Sequence, residues 1–528
     1  MRIRLPKTRR YRLYLYVLST LIILTAIDLL IARLLRHITL APDTTHITTP
    51  LLPNGTPDYL AAINARLSAG VTPENNAAIP LIALLGPRFL PNNSAAVAEG
   101  LHIPPPVEPV HPFVVFERWY EQHHPDAHDQ SPDIDNPATS IIYHPWQPAD
   151  HPDAAAWLNA FNADIDAFQQ LTRRPRYFIP LTTASPDHLL IETQLPNLGA
   201  IRGLVNAALI RANRRIAAHD LDGAWQDLLA AHRMARLLSN GSATLLEQLV
   251  AAALETSAAI DDITLAQSPD LTPDQARRCI ADLRALQPLS PVARTLDTAE
   301  RYSLLSFTCT AATRGTPWAI RSIYTVINAG NLGPPEPPTN WFYAFLPVNY
   351  NHALRSINGF YDQLTAAAAA PKFSDSVALQ SALDTRIQSL AQRNFISRFT
   401  TGDVFSIWLF PFINLALARE RAALQRTDLA QLAFALAAYH ADHHAYPDSL
   451  DPLLFAYLPA LPKDRFADAP LHYHATADTY LVYSIGPNLK DDAGRDRTTS
   501  KQTPPPDDIA ISLPPLAPPA ASQPATVR

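Results

Sequence analysis

Residues 195–241, LPNLGAIRGLVNAALIRANRRIAAHDLDGAWQDLLAAHRMARLLSNG, carry two apolar stripes at helical spacing, broken only by the polar step HDLDG. Two amphipathic helices joined by so short a connection must fold back on each other to bury those stripes. Ala217, Ala218 and Ala224 are the small residues expected at the crossing. The pattern extends over about 155–285: SATLLEQLVAAALETSAAI continues as a helix capped by Ser242, and Thr272-Pro273-Asp274-Gln275 reads as a capping-box start for ARRCIADLRAL. Upstream, Asp58 precedes a stripe of Leu60, Ile63 and Leu67 that Gly70 stops, and Thr72 with Pro73 opens a second helix. Residues 295–330 give a further helix. Two proline-rich stretches, about 101–156 and 331–340, read as extended loops.

The expected fold is therefore mainly α, with an alanine-rich helical body over 57–400. At 528 residues the chain has room for two or three cores. Its 50 prolines against 15 glycines, with only five lysines among 42 basic residues, carry the coding bias of a GC-rich genome, so arginine counts are not read as function. A net charge of −6 gives no basic footprint, which argues against nucleic-acid binding.

The N-terminus addresses location. Arg2, Arg4, Lys7, Arg9, Arg10 and Arg12 precede Leu13–Ala32, 20 residues with one charge. At 1.5 Å per residue that run spans about 30 Å, the thickness of a bilayer core. Residues 1–36 are thus expected to form a basic cytoplasmic flank and a transmembrane anchor, with the body exported. Tyr11, Tyr14 and Tyr16 suit the interfacial belt. Asp28 would cost roughly 2.5–3.5 kcal/mol at mid-bilayer, but it lies one helical turn from the outer end. The alternative, a cleaved signal peptide, is disfavoured because ITLAPD has no A-x-A site and Pro42 follows Ala41. Residues 37–56 form a Pro/Thr linker.

At the other end a long helix runs from near Pro411 to His443. Its upstream part, 404–418, is apolar but interrupted by Pro411, so a buried or interfacial helix is expected rather than a second span. Beyond Pro447 the period changes, and 471–475, 479–485 and 507–513 read as three short strands. Residues 401–513 thus form a small α+β module of a long helix plus a three-stranded antiparallel sheet. The Pro/Ala tail 514–528 has the composition of a disordered segment. Cys279 and Cys309 lack C-x-x-C spacing and sit among apolar neighbours, so buried thiols are expected in preference to a disulfide.

Several blocks resemble known proteins. The 195–241 pair resembles a tetratricopeptide-type hairpin in one copy, too few for a solenoid. TPDYLAAINARLSAG, DLDGAWQDLLAAHRMARLL, LTPDQARRCIADLRALQPLSPVARTLDTAERY and YLVYSIGPNLKDDAGRDR resemble an uncharacterised family of membrane-anchored proteins typical of planctomycetes, with no activity attached. Separately, the helix ending Tyr439-x-x-Asp442-x-x-x-Tyr446-Pro447, with LPALPKDRF and YLVYSIGPNLKDD, resembles the major pseudopilin of type II secretion. That resemblance implies a calcium loop at Asn488, Asp491, Asp492 and Asp496. The chain lacks the pilin processing site and fifth-position glutamate, which puts assembly into a pseudopilus in doubt.

Three clusters could bind metal. His440 and His444 share a helix face, with His443 between them and His472 or His474 as further zinc ligands. The preferred reading is that Tyr439, Asp442, Tyr446 and Pro447 shape the helix exit and the histidines fill exposed slots. The loop Asn488–Asp496 offers hard oxygens suited to calcium without an EF-hand pattern. The run 121–135, EQHHPDAHDQSPDID, reads as a solvated loop. No G-x-S-x-G, H-E-x-x-H, Walker or G-x-G-x-x-G motif occurs; Glu247 and the Glu300-Arg301 pair read as caps or ion pairs. The functional expectation is a membrane-anchored extracytoplasmic scaffold with protein partners, without assigned catalytic or cofactor-binding residues. Alternatives are a component or assembly factor of a type II secretion or pilus-like machine, and a metal-dependent hydrolase.

Overall fold

The computed structural model describes residues 36–90, 94–124, 141–184, 186–315, 347–394, 400–403, 413–496 and 505–514, with isolated positions elsewhere. Most of the anchor Leu13–Ala32, the stretches 331–340 and 125–135, and the tail beyond 514 lie outside them. Among the described residues no helix is long and apolar enough to cross a membrane. The described chain is mainly helical and closes with two small antiparallel sheets.

Helix α1 (Tyr59–Leu67) begins where the Asp58 carboxylate accepts the Ala61 N–H. The next helix, α2, spans Ala78–Leu85 and does not start at Thr72. There the Thr72 hydroxyl accepts from Asn75 N–H while the Asn75 amide oxygen accepts from Thr72 N–H, locking a turn. The Ala77 N–H is spent on the Arg176 carbonyl. Helix α3 covers Ser94–Leu101 and α4 Phe116–His123. The latter falls inside the expected proline-rich loop. It folds because tertiary packing overrides the local signal: the Phe116 ring meets Trp157 of α5 (Pro152–Leu171) at 5.5 Å, edge to face.

The hairpin is α6 (Leu198–Ala217) and α7 (Leu221–Gly241), followed by α8 (Leu245–Ala266) and α9 (Pro273–Ala285). Of the small residues expected between α6 and α7, Ala224 is buried while the other two are not. Ala207, Ala208 and Ala212 of α6 and Ala224, Ala231 and Ala235 of α7 are fully buried, whereas Ala217 is half-buried and Ala218 is exposed at the turn. The cap of α8 also moves. Thr244 and Glu247 form a reciprocal capping box, while the Ser242 hydroxyl turns back to the Ser239 carbonyl at the end of α7. The capping box of Thr272 and Gln275 opens α9 as expected.

The chain then forms α10 (Val292–Thr295), a π turn over Leu296–Glu300 and α11 (Arg301–Arg314). Helices α12 (Tyr350–Ala369) and α13 (Phe373–Gln392) precede the long α14 (Ile413–His443). Ala416 and Leu417, in the first turns of α14 at the end of the apolar run 404–418, are buried against Leu245, Val292 and Leu296; residues 404–412 of that run lie outside the described residues. One core joins α2, α5–α9, α14 and the C-terminal sheet, and a second joins α1, α11, α12 and α13. Cys279 lies in the first and Cys309 in the second, both buried and unbonded.

Strands β3 (His472–Ala475), β4 (Tyr480–Ser484) and β5 (Ile509–Leu513) pair antiparallel in that order, with His472 opposite Tyr483 and Tyr480 opposite Leu513. They match the three expected strands. A two-residue ribbon, β1 (Lys463–Asp464) with β2 (Ala469–Pro470), precedes them without a sequence signal. Asp464, 1% exposed, joins the two. Its carboxylate accepts from Phe466 N–H, Ala467 N–H, the Ser484 hydroxyl and Ile485 N–H at 2.7–3.1 Å. Replacing it strands buried donors, so Asp464→Ala is expected to cost about 3 kcal/mol, read as a lower urea midpoint with an unchanged slope.

Candidate functional site

The most chemically loaded region is sealed inside the first core. In α7, one turn places His232 and Arg236 on the same face, which α8 meets with Glu255 and Asp262. The His232 Nδ1 is 3.0 Å from a Glu255 oxygen and its Nε2 is 2.8 Å from Asp262. Arg236 donates to the second Glu255 oxygen, and the Thr427 hydroxyl of α14 donates to the first at 2.7 Å. His232, Glu255 and Asp262 are all 0% exposed. Burial pulls the imidazole down, but the Glu255 and Asp262 carboxylates outweigh it and hold His232 at about 9. Burial also pushes Glu255 up, while His232 and Arg236 together bring it to about 2.

Neighbouring groups extend the network. Asp261, also fully buried, accepts from the Asn213 amide at 3.0 Å. Burial, with the adjacent Asp262 charge, pushes its carboxyl well above the ordinary carboxylate range. Toward the hairpin turn, Asp227 of α7 receives Arg211 at 2.6 Å and Arg215 at 2.7 Å, and Arg211 reaches Asp166 of α5 at 2.7 Å. A histidine between two carboxylates resembles an acid–base constellation, but a group at 0% exposure offers no substrate a way in. Its chemistry is to fix α7, α8 and α14 in register.

Sequence reasoning missed this row because its members are scattered through ordinary helices. One signal existed: Arg211, Asp227, His232, Glu255 and Asp262 interrupt apolar stripes. Of the two roles expected for Glu247, cap or ion pair, the structure shows the cap, and Glu300 also caps α8 by accepting the Leu245 N–H at 2.8 Å. Arg301 is paired with Asp297 and Asp362.

The predicted metal residues are dispersed. His443 stacks on Tyr439 at 4.0 Å, His440 on Tyr446 at 4.5 Å, and His472 on Tyr483 at 4.7 Å. His444 ends α14 in the left-handed region with φ 58°. Among the described residues no group of three or more His, Cys, Asp or Glu side chains is placed to hold a metal ion. By contrast, Tyr446 packs on Tyr480 at 4.9 Å, and Asp442 accepts from the Tyr457 hydroxyl at 2.6 Å and Arg277 at 2.8 Å. These residues tie the helix exit to the sheet and to α9.

In the acidic loop, the Asn488 amide donates to Asp492, and Asp491 accepts from the Tyr483 hydroxyl and the Ala493 N–H. Asp496 instead lies near Arg426. The residue at the centre is Asp508 at the start of β5, 1% exposed. One of its oxygens accepts from Asp492 and Gly494 N–H, and the other is buried with no partner. Burial, with the Asp492 and Asp491 charges, raises its carboxyl to about 6. Asp491, Asp492 and Asp508 carry hard oxygens of the kind calcium takes, but the three are not gathered into one metal-holding group.

An open cleft of about 570 Å³ lies between α14, the Leu289–Pro291 segment and the Leu461–Arg465 segment. Its polar walls include Glu420, Arg421 and Asp428 of α14 with Arg465. In comparisons with known proteins, the chain matches no family model, no curated protein and no solved structure.

The buried histidine gives a pH signature. Its folded value near 9 lies above the ordinary 6.5, so its contribution is complete below pH 6.5 and disappears as pH rises through 9. The shift corresponds to about 3 kcal/mol. The melting temperature of the full chain is expected to fall between about pH 6.5 and 9, and His232→Gln to lower it at pH 6 and flatten that fall. An unchanged alkaline limb in the variant would contradict the assignment.

Proposed function

We propose that this protein is a membrane-anchored scaffold of the cell envelope, with a cytoplasmic basic flank, a single span at Leu13–Ala32 and an extracytoplasmic body that engages protein partners. The observation carrying the scaffold part is the shared core: α14 is at once the spine of the C-terminal sheet and a wall of the helical bundle. Such a body keeps its surfaces in fixed relative positions, as a docking platform requires. The basic flank and 20-residue apolar run support the location. A role in a type II secretion or pilus-like machine draws support from the long helix on a three-stranded antiparallel sheet. A metal-dependent hydrolase has no gathered ligand set among the described residues to support it.

Proximity labelling from the C-terminus in the native cell tests the reading. Biotinylation of envelope proteins is expected, and a label confined to cytoplasmic proteins would overturn it. Loss of secretion in a deletion strain would favour the machine component instead.

A second proposal concerns calcium, which the buried unpartnered oxygen of Asp508 beside Asp491 and Asp492 favours. Calcium at about 1 mM is expected to raise the melting temperature of the full chain while equal magnesium does not. Asp508→Asn is expected to remove the effect, and a response equal for both cations would count against it.

A further inference from the structure

Residues 37–56 have the composition of a linker, yet their first part is strapped along α12. The Asn351 side chain grips the strap twice: its amide donates to the His37 carbonyl at 2.7 Å, and its oxygen accepts the Thr39 N–H at 2.9 Å. One turn on, Arg355 pairs with Asp43 at 2.6 Å. A further turn on, the Asn358 amide donates to the Thr44 carbonyl at 2.7 Å and to the Asp43 carbonyl at 3.2 Å. Thr44 and Thr45 are fully buried, and the Thr45 carbonyl accepts the Tyr59 hydroxyl of α1 at 2.8 Å. Positions 351, 355 and 358 step by four and three, so they form one stripe of α12. The strap follows that stripe away from the start of the helix, which leaves residue 37 beside the first turn of α12.

Other parts of the chain meet at that end. The Arg36 guanidinium lies beside Gly315, where α11 finishes. The Thr400 carbonyl accepts the Asn349 N–H at 2.9 Å, and Gly402 sits so close to Ala353 that a β-carbon on it would stand 2.6 Å from the alanine methyl. The buried Asp403 receives Arg393 at 3.2 Å and faces His352 at 3.7 Å. Two stretches that lie largely outside the described residues, 316–346 and 404–412, begin or end at this place. In sequence they include WFYAFL (341–346) and VFSIWLFPF (404–412), with the tryptophan and tyrosine that favour a membrane interface.

The strap leaves little slack between anchor and body. From Ala32, the last residue of the apolar run, to His37 is five steps, at most about 18 Å even fully extended. About 6 Å of that is taken up by the headgroup layer. A flexible coil over 37–56 would by itself average about 25 Å. We infer that the end of the second core where α11 finishes and α12 begins is a lipid-facing surface, held against the bilayer headgroups by the strap, with α12 leading away from them. The partner of this surface is the bilayer itself. It rests on the reading of Leu13–Ala32 as a membrane span and adds which face of the body the lipid meets.

The test uses the full chain in phosphatidylcholine nanodiscs that contain a lipid with a nitroxide on its headgroup, which quenches a bimane fluorophore only at close range. Bimane is attached through His352→Cys, in the first turn of α12, or through Ala369→Cys, its exposed last residue, about 26 Å away at 1.5 Å per residue. The native Cys279 and Cys309 are buried and escape the label. Loss of emission is expected at position 352 and not at position 369. Inserting about ten glycine and serine residues between Arg36 and His37 keeps the strap but adds a coil averaging about 17 Å. That insertion is expected to abolish the loss at position 352, with the melting temperature and circular dichroism showing that each variant is folded. Equal quenching at the two positions, quenching at neither, or a loss at position 352 that survives the insertion would overturn the proposal. Each of these leaves the span standing as long as the chain resists extraction from native membranes by alkaline carbonate. A chain that carbonate releases would overturn the span and the lipid-facing surface together.

Discussion

Glu255 is the contact on which the rest of the bundle depends. From the middle of α8 its two oxygens take His232 and Arg236 of α7 on one side and Thr427 of α14 on the other. Two consecutive helices and a third that lies 172 positions further on therefore meet at one fully buried carboxylate. Apolar packing alone would let alanine-rich helices slide by a turn at small cost, since Ala offers little shape to lock. A buried charge cannot slide, because any other register leaves it unpaired at a cost of several kcal/mol. The ion pairs are better understood as fixing register than as adding net stability. The hairpin uses the same device at Asp227, held by Arg211 and Arg215.

The consequence for the C-terminal module follows directly. Its helix α14 carries Thr427 into that junction and Asp442 to Arg277 of α9, so the sheet that α14 supports is fixed to the bundle rather than attached by a linker. Within the sheet Asp464 repeats the theme on a smaller scale, one carboxylate collecting four donors from a ribbon and a strand end.

Much of this was legible where local rules and tertiary demands agree. The periodicity of 195–285 and 411–443, the capping box at Thr272, and the three final strands all announce themselves in sequence. The failures have physical causes. Ser242 and Thr244 are both competent caps, and only the reciprocal bond from Glu247 decides between them. The proline-rich stretch hid α4 because its helix exists through aromatic packing on Trp157, a contact 41 positions away in the chain. The short β1–β2 ribbon depends on Asp464 reaching Ser484, which no local pattern encodes. Among the candidate site residues the histidines drew notice through spacing, whereas Asp508 lay beyond the acidic loop in sequence and escaped it.

The distribution of charge follows one rule at two depths. Where carboxylates are fully buried they are matched by cations, as at Glu255 and Asp227, or have their ionisation pushed well up, as at Asp261, and they hold helices in place. Where one is only partly covered, as at Asp428, an arginine brought by a neighbouring segment, Arg465, holds it. Charge on α14 thus serves the same end near the surface as in the core, fixing the chain that follows against the helix.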